Sequence, residues 1–462
     1  MISQLAKSSS ILFDDALIVT MDPRRRVIER GSILVEGDRI AEIRGPAGGR
    51  PEMAEQRISA KGMAVIPGLV DTHVHLAQSL LRGCADDLSL VEWLRQRVWP
   101  IQGVFTEEDG RVSAELSMLE MIRSGTTSFV GVDVVSRYGF DGIAKSVVKA
   151  GMRGALAKSI MDSPGYGRKG AIMPAGLVEE KEACISETKS MVKKWNGIRG
   201  GLVKAWLAPR SLGGCSRELY EEVADLAEKQ KTRVTMHLAE VKEDVRYAKQ
   251  NFGMTPFEFI EKVGLAGPGS LFAHMVWLTD NDIRSVAKTK ANVAHCPSSN
   301  LKLASGFPRV PELLEAGANV GLGCDGAPCN NSYDMIREMK IAAVIQKGRL
   351  LDPLTMPATT VLEMATVRGA KAMGMESEIG SIEAGKKADL VFIDMKKPHL
   401  TPFRNVVSNI VYSAVGGDVD SVMVDGRLLL QHGRALTLDE ERIVGEAQQR
   451  QVELISRSGV RA

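Results

Sequence analysis

The chain is predicted to fold as an α/β protein, a TIM-like (β/α)8 barrel with a small β-sandwich domain formed from both termini. Three observations predict it. Between residues 63 and 325, eight apolar segments of strand length alternate with stretches of helical periodicity, the pattern of parallel βαβ units, and eight is the number that closes such a barrel. Short strands punctuated by turn residues occur at both ends of the chain. Of 7 histidines, five fall at the carboxyl ends of the predicted barrel strands, the face on which such barrels carry their chemistry.

Residues 1–66 read as the first part of the sandwich, with strands at Ile11–Val19, Gly31–Val35 and Ile40–Ile43 and turns at Asp22-Pro23 and Gly37-Asp38. Residues 67–380 read as the barrel. Its eight strand segments are Met63–His75, which begins just before that boundary, Thr126–Val135, Gly154–Asp162, Val203–Arg210, Arg233–Glu240, Ser270–Trp277, Asn292–Ser298 and Asn319–Asp325. Helix starts are visible between them, as at Thr106-Glu-Glu-Asp109 ahead of Val112, Leu116 and Leu119 at helical spacing. Residues 381–436 return to short strands, Asp389–Ile393, Ser421–Val424 and Arg427–Leu430, the last two joined by Asp425-Gly426. Residues 437–462 read as a terminal helix over Leu438–Ile455.

Composition narrows the function. At 462 residues the chain is long enough for one large barrel with an attached domain, and 44% hydrophobic with 25% charged residues is ordinary for a globular protein. The formal charge of +2, from 59 basic and 57 acidic residues, makes no case for nucleic acid or a membrane surface and suits a neutral small molecule. The amino-terminal stretch MISQLAKSSSILFDD lacks the apolar region of a secretory signal, and no segment is long enough to span a bilayer, so the expected address is the cytoplasm. Cys84, Cys184, Cys215, Cys296, Cys324 and Cys329 lack CxxC spacing and are expected to be reduced packing residues.

The stretch PGLVDTHVHLAQ, Pro67–Gln78, ends an apolar run in two histidines one residue apart. On a strand both imidazoles leave one face, which suits a metal, although a strand whose polar end reaches water is an equal reading of this pair alone. Downstream, His237 with Glu240, His274, His295 and Asp325 also stand at strand ends. His73, His75, His237 and Asp325 would supply three nitrogens and one oxygen, a set that zinc or ferrous iron accepts with a position left open for water. Three residues along a strand point to opposite faces, so Glu240 shares the pocket with His237 only if the chain bends between them.

PGLVDTHVH, MHLAE, FAHMVW and GLGCDGAPCNN, in that order, resemble the metal-dependent amidohydrolase superfamily, and within it the aminohydrolases and chlorohydrolases of nitrogen heterocycles. LLRGCADDLSLVEWL, AHCPSSNLKLASG, NNSYDMIREMKIA and IGSIEAGKKADLVFID extend the resemblance over nearly the whole chain. It implies one divalent metal, zinc first and iron second, held by His73, His75, His237 and Asp325. It further implies that His274 holds the hydrolytic water, that Glu240 moves protons to the substrate ring, and that Asp325 helps deprotonate the water. His295 is expected to be structural, behind the ligands. Arg210 stands where binuclear relatives have a bridging lysine, which implies a single metal.

The resemblance splits over the substrate. Deaminases of 5′-modified adenosine carry a glutamate where this chain has Gln102, and a histidine where it has Arg210. Guanine deaminases resemble it at Gln78 and Pro209-Arg210, whereas GCDGAPCNN is closer to the adenosine and triazine enzymes. Arg210 could contact the substrate or pair with a neighbouring acid to close the barrel; as a substrate contact, it would select against an analogue lacking acceptors by about 10⁴-fold. Trp93 and Trp99 could wall a flat ring or simply pack in the core. The expectation is a deaminase of a purine base or 5′-modified adenosine, acting as a homo-oligomer; the alternatives are a triazine chlorohydrolase or aminohydrolase, and a non-catalytic scaffold.

Overall fold

The computed structural model describes residues 10–46, 54–163 and 173–460. Residues 1–9, most of the stretch read above for a leader, lie outside the described residues.

Eight parallel strands pair in chain order: Leu69–Val74, Thr126–Val134, Arg153–Ile160, Val203–Pro209, Val234–Leu238, Ser270–His274, Asn292–His295 and Asn319–Leu322. The ring closes between the eighth and the first through a parallel bridge, Val74 to Asp325. There the Asp325 amide donates to the His73 carbonyl at 2.8 Å, and the His75 amide to the Asp325 carbonyl at 3.4 Å. Alternate side chains point inward, as the two-residue period requires, and Val70, Val130, Val132, Ala155, Ala157, Trp206, Ala208, Leu271, Ala273 and Ala294 fill the interior. Helix Glu107–Arg123 starts at Thr106, whose hydroxyl and Asp109 form the reciprocal cap that the sequence predicts.

Two differences from the sequence reading have physical causes. The apolar run Met63–His75 is two strands rather than one, Met63–Pro67 in the terminal sheet and Leu69–Val74 in the barrel. Gly68 is the pivot, because a Cβ there would meet Thr127 Oγ1 at 2.0 Å. Several strands also stop short of their predicted ends, because the residues that follow leave the ladder: Ala239, Met275 and Asp325 have φ of 51°, 49° and 66°.

The terminal strands hydrogen-bond into one nine-stranded mixed sheet. Antiparallel pairing of Met63–Pro67 with Leu390–Asp394 joins the two ends of the chain. Phe13, Ile18, Ile33, Val35, Val65, Leu390 and Phe392 give the sheet a core of its own. Asp425 and Gly426, at φ 48° and 71°, make the two-residue turn before Arg427–Gln431. The last helix, Glu440–Ser458, lies along Glu107–Arg123, with Arg450 and Arg457 on Asp109 and Arg442 on Glu115. No helix among the described residues is long and apolar enough to cross a membrane.

The barrel and the terminal sheet are tied by Arg153, a 1% exposed side chain whose guanidinium bonds Asp389 at 3.2 Å and Asp425 at 2.5 Å. Removing one member of a buried ion pair leaves the other charge uncompensated. Arg153→Met is therefore expected to lower stability by about 3–5 kcal/mol, read as a lower midpoint of urea unfolding.

Candidate active site

The carboxyl ends of the barrel strands surround a cavity of about 450 Å³ lined by His75, Gln78, Arg210, Ser211, His237, Glu240, His274 and Asp325. Its remaining wall is apolar: Leu90, Trp93, Leu94, Trp99 and Leu303. Leu90, Trp93 and Leu94 follow helical spacing, and a π-helical stretch, Leu94–Val98, carries the stripe on to Trp99.

His73, His75, His237 and Asp325 place one ligand atom each within 4.8 Å of all the others. His75 Nε2 is 3.1 Å from His237 Nε2 and 3.2 Å from Asp325 Oδ1, and His73 Nε2 is 3.5 Å from the same oxygen. His237 Nδ1 is 3.0 Å from the Arg210 carbonyl, an acceptor only, so Nδ1 holds the proton and the Nε2 lone pair faces the cluster. Among the described residues, neither buried His73 ring nitrogen has a hydrogen-bond partner. Buried, orphaned nitrogens converging with a carboxylate are what one divalent cation requires, so the residues fit such an ion.

Electrostatics agree. Burial drives the His73 imidazole down to about 4, and burial together with the neighbouring imidazoles drives His237 well below its ordinary value, which keeps both neutral and able to ligate. For Asp325 burial pulls upward, but the facing imidazoles of His73, His75 and His274 together win and hold it well below the usual carboxylate range. The Ser299 hydroxyl adds a bond to Asp325 Oδ2 at 2.5 Å.

Glu240 reaches the same pocket because the chain does bend after His237, at Ala239 in the left-handed region. Its amide is held by Asp244 at 2.8 Å, and burial raises its carboxyl to about 7, the range in which a group can both give and take a proton near neutrality. His274 Nε2 lies 3.7 Å from Glu240 and 3.9 Å from Asp325, while Nδ1 is 2.9 Å from Asn300 Oδ1. Burial disfavours its charge, but Glu240 and Asp325 outweigh burial and raise it. His295 is buried outside the cluster with neither ring nitrogen partnered among the described residues, and burial with His274 nearby pushes it down to about 3.

Arg210 lines the cavity, and its Nη1 donates to Asp133 Oδ2 at 2.9 Å, a pairing with a neighbouring acid. Gln78 lines the cavity in space that only glycine leaves, since a Cβ on Gly326 would fall 2.0 Å from Gln78 Oε1. Trp93 and Trp99 form the aromatic wall. Gln102 ends helix Trp99–Gln102, is buried, and is not among the residues that line the cavity.

Sequence reasoning passed over Asp133, Asn300 and Ser299. A charged residue within the apolar strand Thr126–Val134 was the available signal for Asp133, and the polar run Ser298-Ser299-Asn300 directly after Pro297 was the signal for the other two.

The sequence profile of the amidohydrolase family matches residues 64–429. The chain is 40% identical to 5′-deoxyadenosine deaminase of Methanosarcina mazei over 97% of this chain and 99% of that one. It is 41% identical to 5-methylthioadenosine/S-adenosylhomocysteine deaminase of Moorella thermoacetica over 95% of this chain and 98% of that one. Among solved structures, a zinc-bound adenosine deaminase from Xanthomonas campestris superposes with a TM-score of 0.89 at 30% identity, covering 96% and 98% of the two chains.

A further buried carboxyl, Glu338, anchors the loops that carry Ser299 and Asp325. It accepts from the Ser298 amide at 2.9 Å, the Ser298 hydroxyl at 2.6 Å and Asn330 Nδ2 at 3.2 Å, and burial raises it to about 7. Its folded value is above its unfolded one, so its contribution to stability is full below about 4.5 and is lost as pH rises toward 7. Glu338→Gln is expected to flatten the fall in melting temperature between pH 5 and pH 8, measured on the metal-free protein by calorimetry.

Proposed function

The chain belongs to the amidohydrolase family, and on that premise we propose that it is a metal-dependent aminohydrolase that removes the exocyclic amino group of a purine-type ring as ammonia. One observation carries the reading. Glu240, poised near 7, and His274 stand beside a four-ligand metal centre under a cavity with an aromatic wall. The activities of the relatives near 40% identity support a 5′-modified adenosine over guanine or a triazine as substrate. Zinc in the Xanthomonas campestris structure supports zinc as the ion, with iron as second choice.

His73, His75, His237 and Asp325 would hold the ion, which when bound supplies the Lewis acidity that makes water nucleophilic near pH 7. His274, fixed through Nδ1 by Asn300, directs Nε2 toward the attacking water. Asp325 accepts a proton from that water, and Glu240 protonates the ring nitrogen beside the amine-bearing carbon as the new C–O bond forms. Return of the water's proton to the amine lets the C–N bond break and ammonia leave, while the remaining hydroxyl proton passes to Glu240 as the ring carbonyl forms. Gln78 and Arg210 contact the polar edge of the base, and Trp93 and Trp99 cover its face.

Hydrolytic dechlorination of a triazine would use the same groups with chloride as leaving group, and a chloride-release assay separates the two. The complete ligand set argues against a scaffold role. The six cysteines, all buried and free of disulfides, support a cytoplasmic location, and the family resemblance supports a homo-oligomer.

The reading is tested by ammonia release from 5′-deoxyadenosine, methylthioadenosine, S-adenosylhomocysteine, guanine and aminotriazines. Turnover of an adenosine derivative is expected, and no ammonia from any of them would sink the proposal. Glu240→Gln is expected to lower kcat by about 10²- to 10⁴-fold with zinc content unchanged. Dialysis against a chelator is expected to abolish activity, and one equivalent of zinc to restore it.

A further inference from the structure

We propose that Asp133 is a positioning residue that ties two of the metal ligands to the arginine on the cavity wall. It stands at the carboxyl end of the second barrel strand, Thr126–Val134, with a side chain 3% exposed. Its Oδ2 lies 2.9 Å from Arg210 Nη1, 3.6 Å from His237 Nδ1 and 3.9 Å from His75 Nδ1. Oδ1 has no hydrogen-bond partner among the described residues. One buried carboxylate therefore reaches the outer nitrogens of two ligand histidines and the only guanidinium or ammonium group that lines the cavity among the described residues.

The arrangement is a closed circuit. The Arg210 carbonyl accepts a hydrogen bond from His237 Nδ1–H at 3.0 Å and so fixes the tautomer that turns Nε2 to the cluster. The Arg210 side chain is in turn held by Asp133, whose carboxylate also sits beside that same imidazole. A guanidinium next to a ligand histidine would repel a divalent cation, and Asp133 offsets that charge where it stands. The backbone supports a dedicated role, because Asp133 adopts φ 53°, a conformation uncommon outside glycine and tolerated best by aspartate and asparagine. A buried carboxylate in an apolar strand is retained only where it is paired, and here its partners are the ligands and the wall of one site.

Two consequences separate this role from plain structural support. Loss of the charge should weaken the metal and misplace Arg210 together, whereas loss of Arg210 should affect the substrate alone. Asp133→Asn keeps the size and the left-handed backbone while removing the charge. Zinc affinity, measured by chelator competition on the full-length protein without turnover, is expected to fall about 10-fold or more. For 5′-deoxyadenosine at saturating zinc, KM is expected to rise about 10-fold with kcat within about threefold of the parent, as uniform binding is lost. Arg210→Met should raise KM with zinc affinity undiminished, and the double variant should have a KM no higher than Arg210→Met alone.

Unchanged zinc affinity in Asp133→Asn, or KM effects that multiply in the double variant, would overturn the proposal. Asp133→Gly, which suits the same backbone, carries the same zinc expectation if the asparagine variant does not fold. The KM arm rests on the deaminase reading above; the zinc arm does not, so a chain that fails to deaminate still tests the pairing.

Discussion

The seam where the barrel closes is the constraint on which the rest of the structure depends. Strand eight meets strand one through the backbones of Asp325 and His73, each of which also offers a side chain to the metal cluster. The hydrogen bonds that complete the ring thus set the spacing between ligands far apart in the chain. Gly323, whose Cβ would fall 2.9 Å from the His73 Cβ, allows the two strands to come that close. Because a closed barrel has no sheet edges, the spacing is held by every strand in the circle and not by one loop.

Within that ring, two carboxyl groups in one buried pocket are driven in opposite directions. Asp325 has His73, His75 and the Ser299 hydroxyl as partners and stays ionised, whereas Glu240 has a distant Ser305 hydroxyl at 3.4 Å and is raised to about 7. Environment thus pushes two neighbouring carboxyl groups apart, Asp325 resting ionised and able to accept a proton, Glu240 poised to hold one near neutrality. His274 sits between them and is raised by both. Left-handed residues at Asp133, Ala239, His274 and Asp325 show that the strand ends are bent to aim these groups, a strain the surrounding sheet sustains.

The terminal sheet belongs to the same construction. Met63–Pro67 enters it and Leu69–Val74 enters the barrel, so one continuous segment carries the first ligand pair out of a sheet already fixed by residues 390–394. Arg153 repeats the link two strands further on, bonding Asp389 and Asp425 from the first residue of the third barrel strand. The amidohydrolase site is thereby anchored from below as well as around its rim.

Much of this could be read in the amino-acid order. Alternating periodicity and histidines at strand ends pointed to the barrel, and the strand-end residues His73, His75, His237 and Asp325 made a metal site readable, while the chemistry came from the resemblance of their motifs to the amidohydrolases. The bend that Glu240 needs could be stated as a condition, but its occurrence at Ala239 could not. Arg210 could be assigned to substrate or to an ion pair, and only the fold showed that it lines the cavity while resting on Asp133. Gln102, which the sequence placed with the substrate, is buried at the end of its helix and does not line the cavity. Asp133, Asn300 and Glu338 carry no spacing signal at all, since their meaning lies in contacts across the barrel. The sequence by itself determined the class of fold and the ligand set; the tertiary structure decided which polar residues face the cavity, because facing depends on three-dimensional closure and not on distance along the chain.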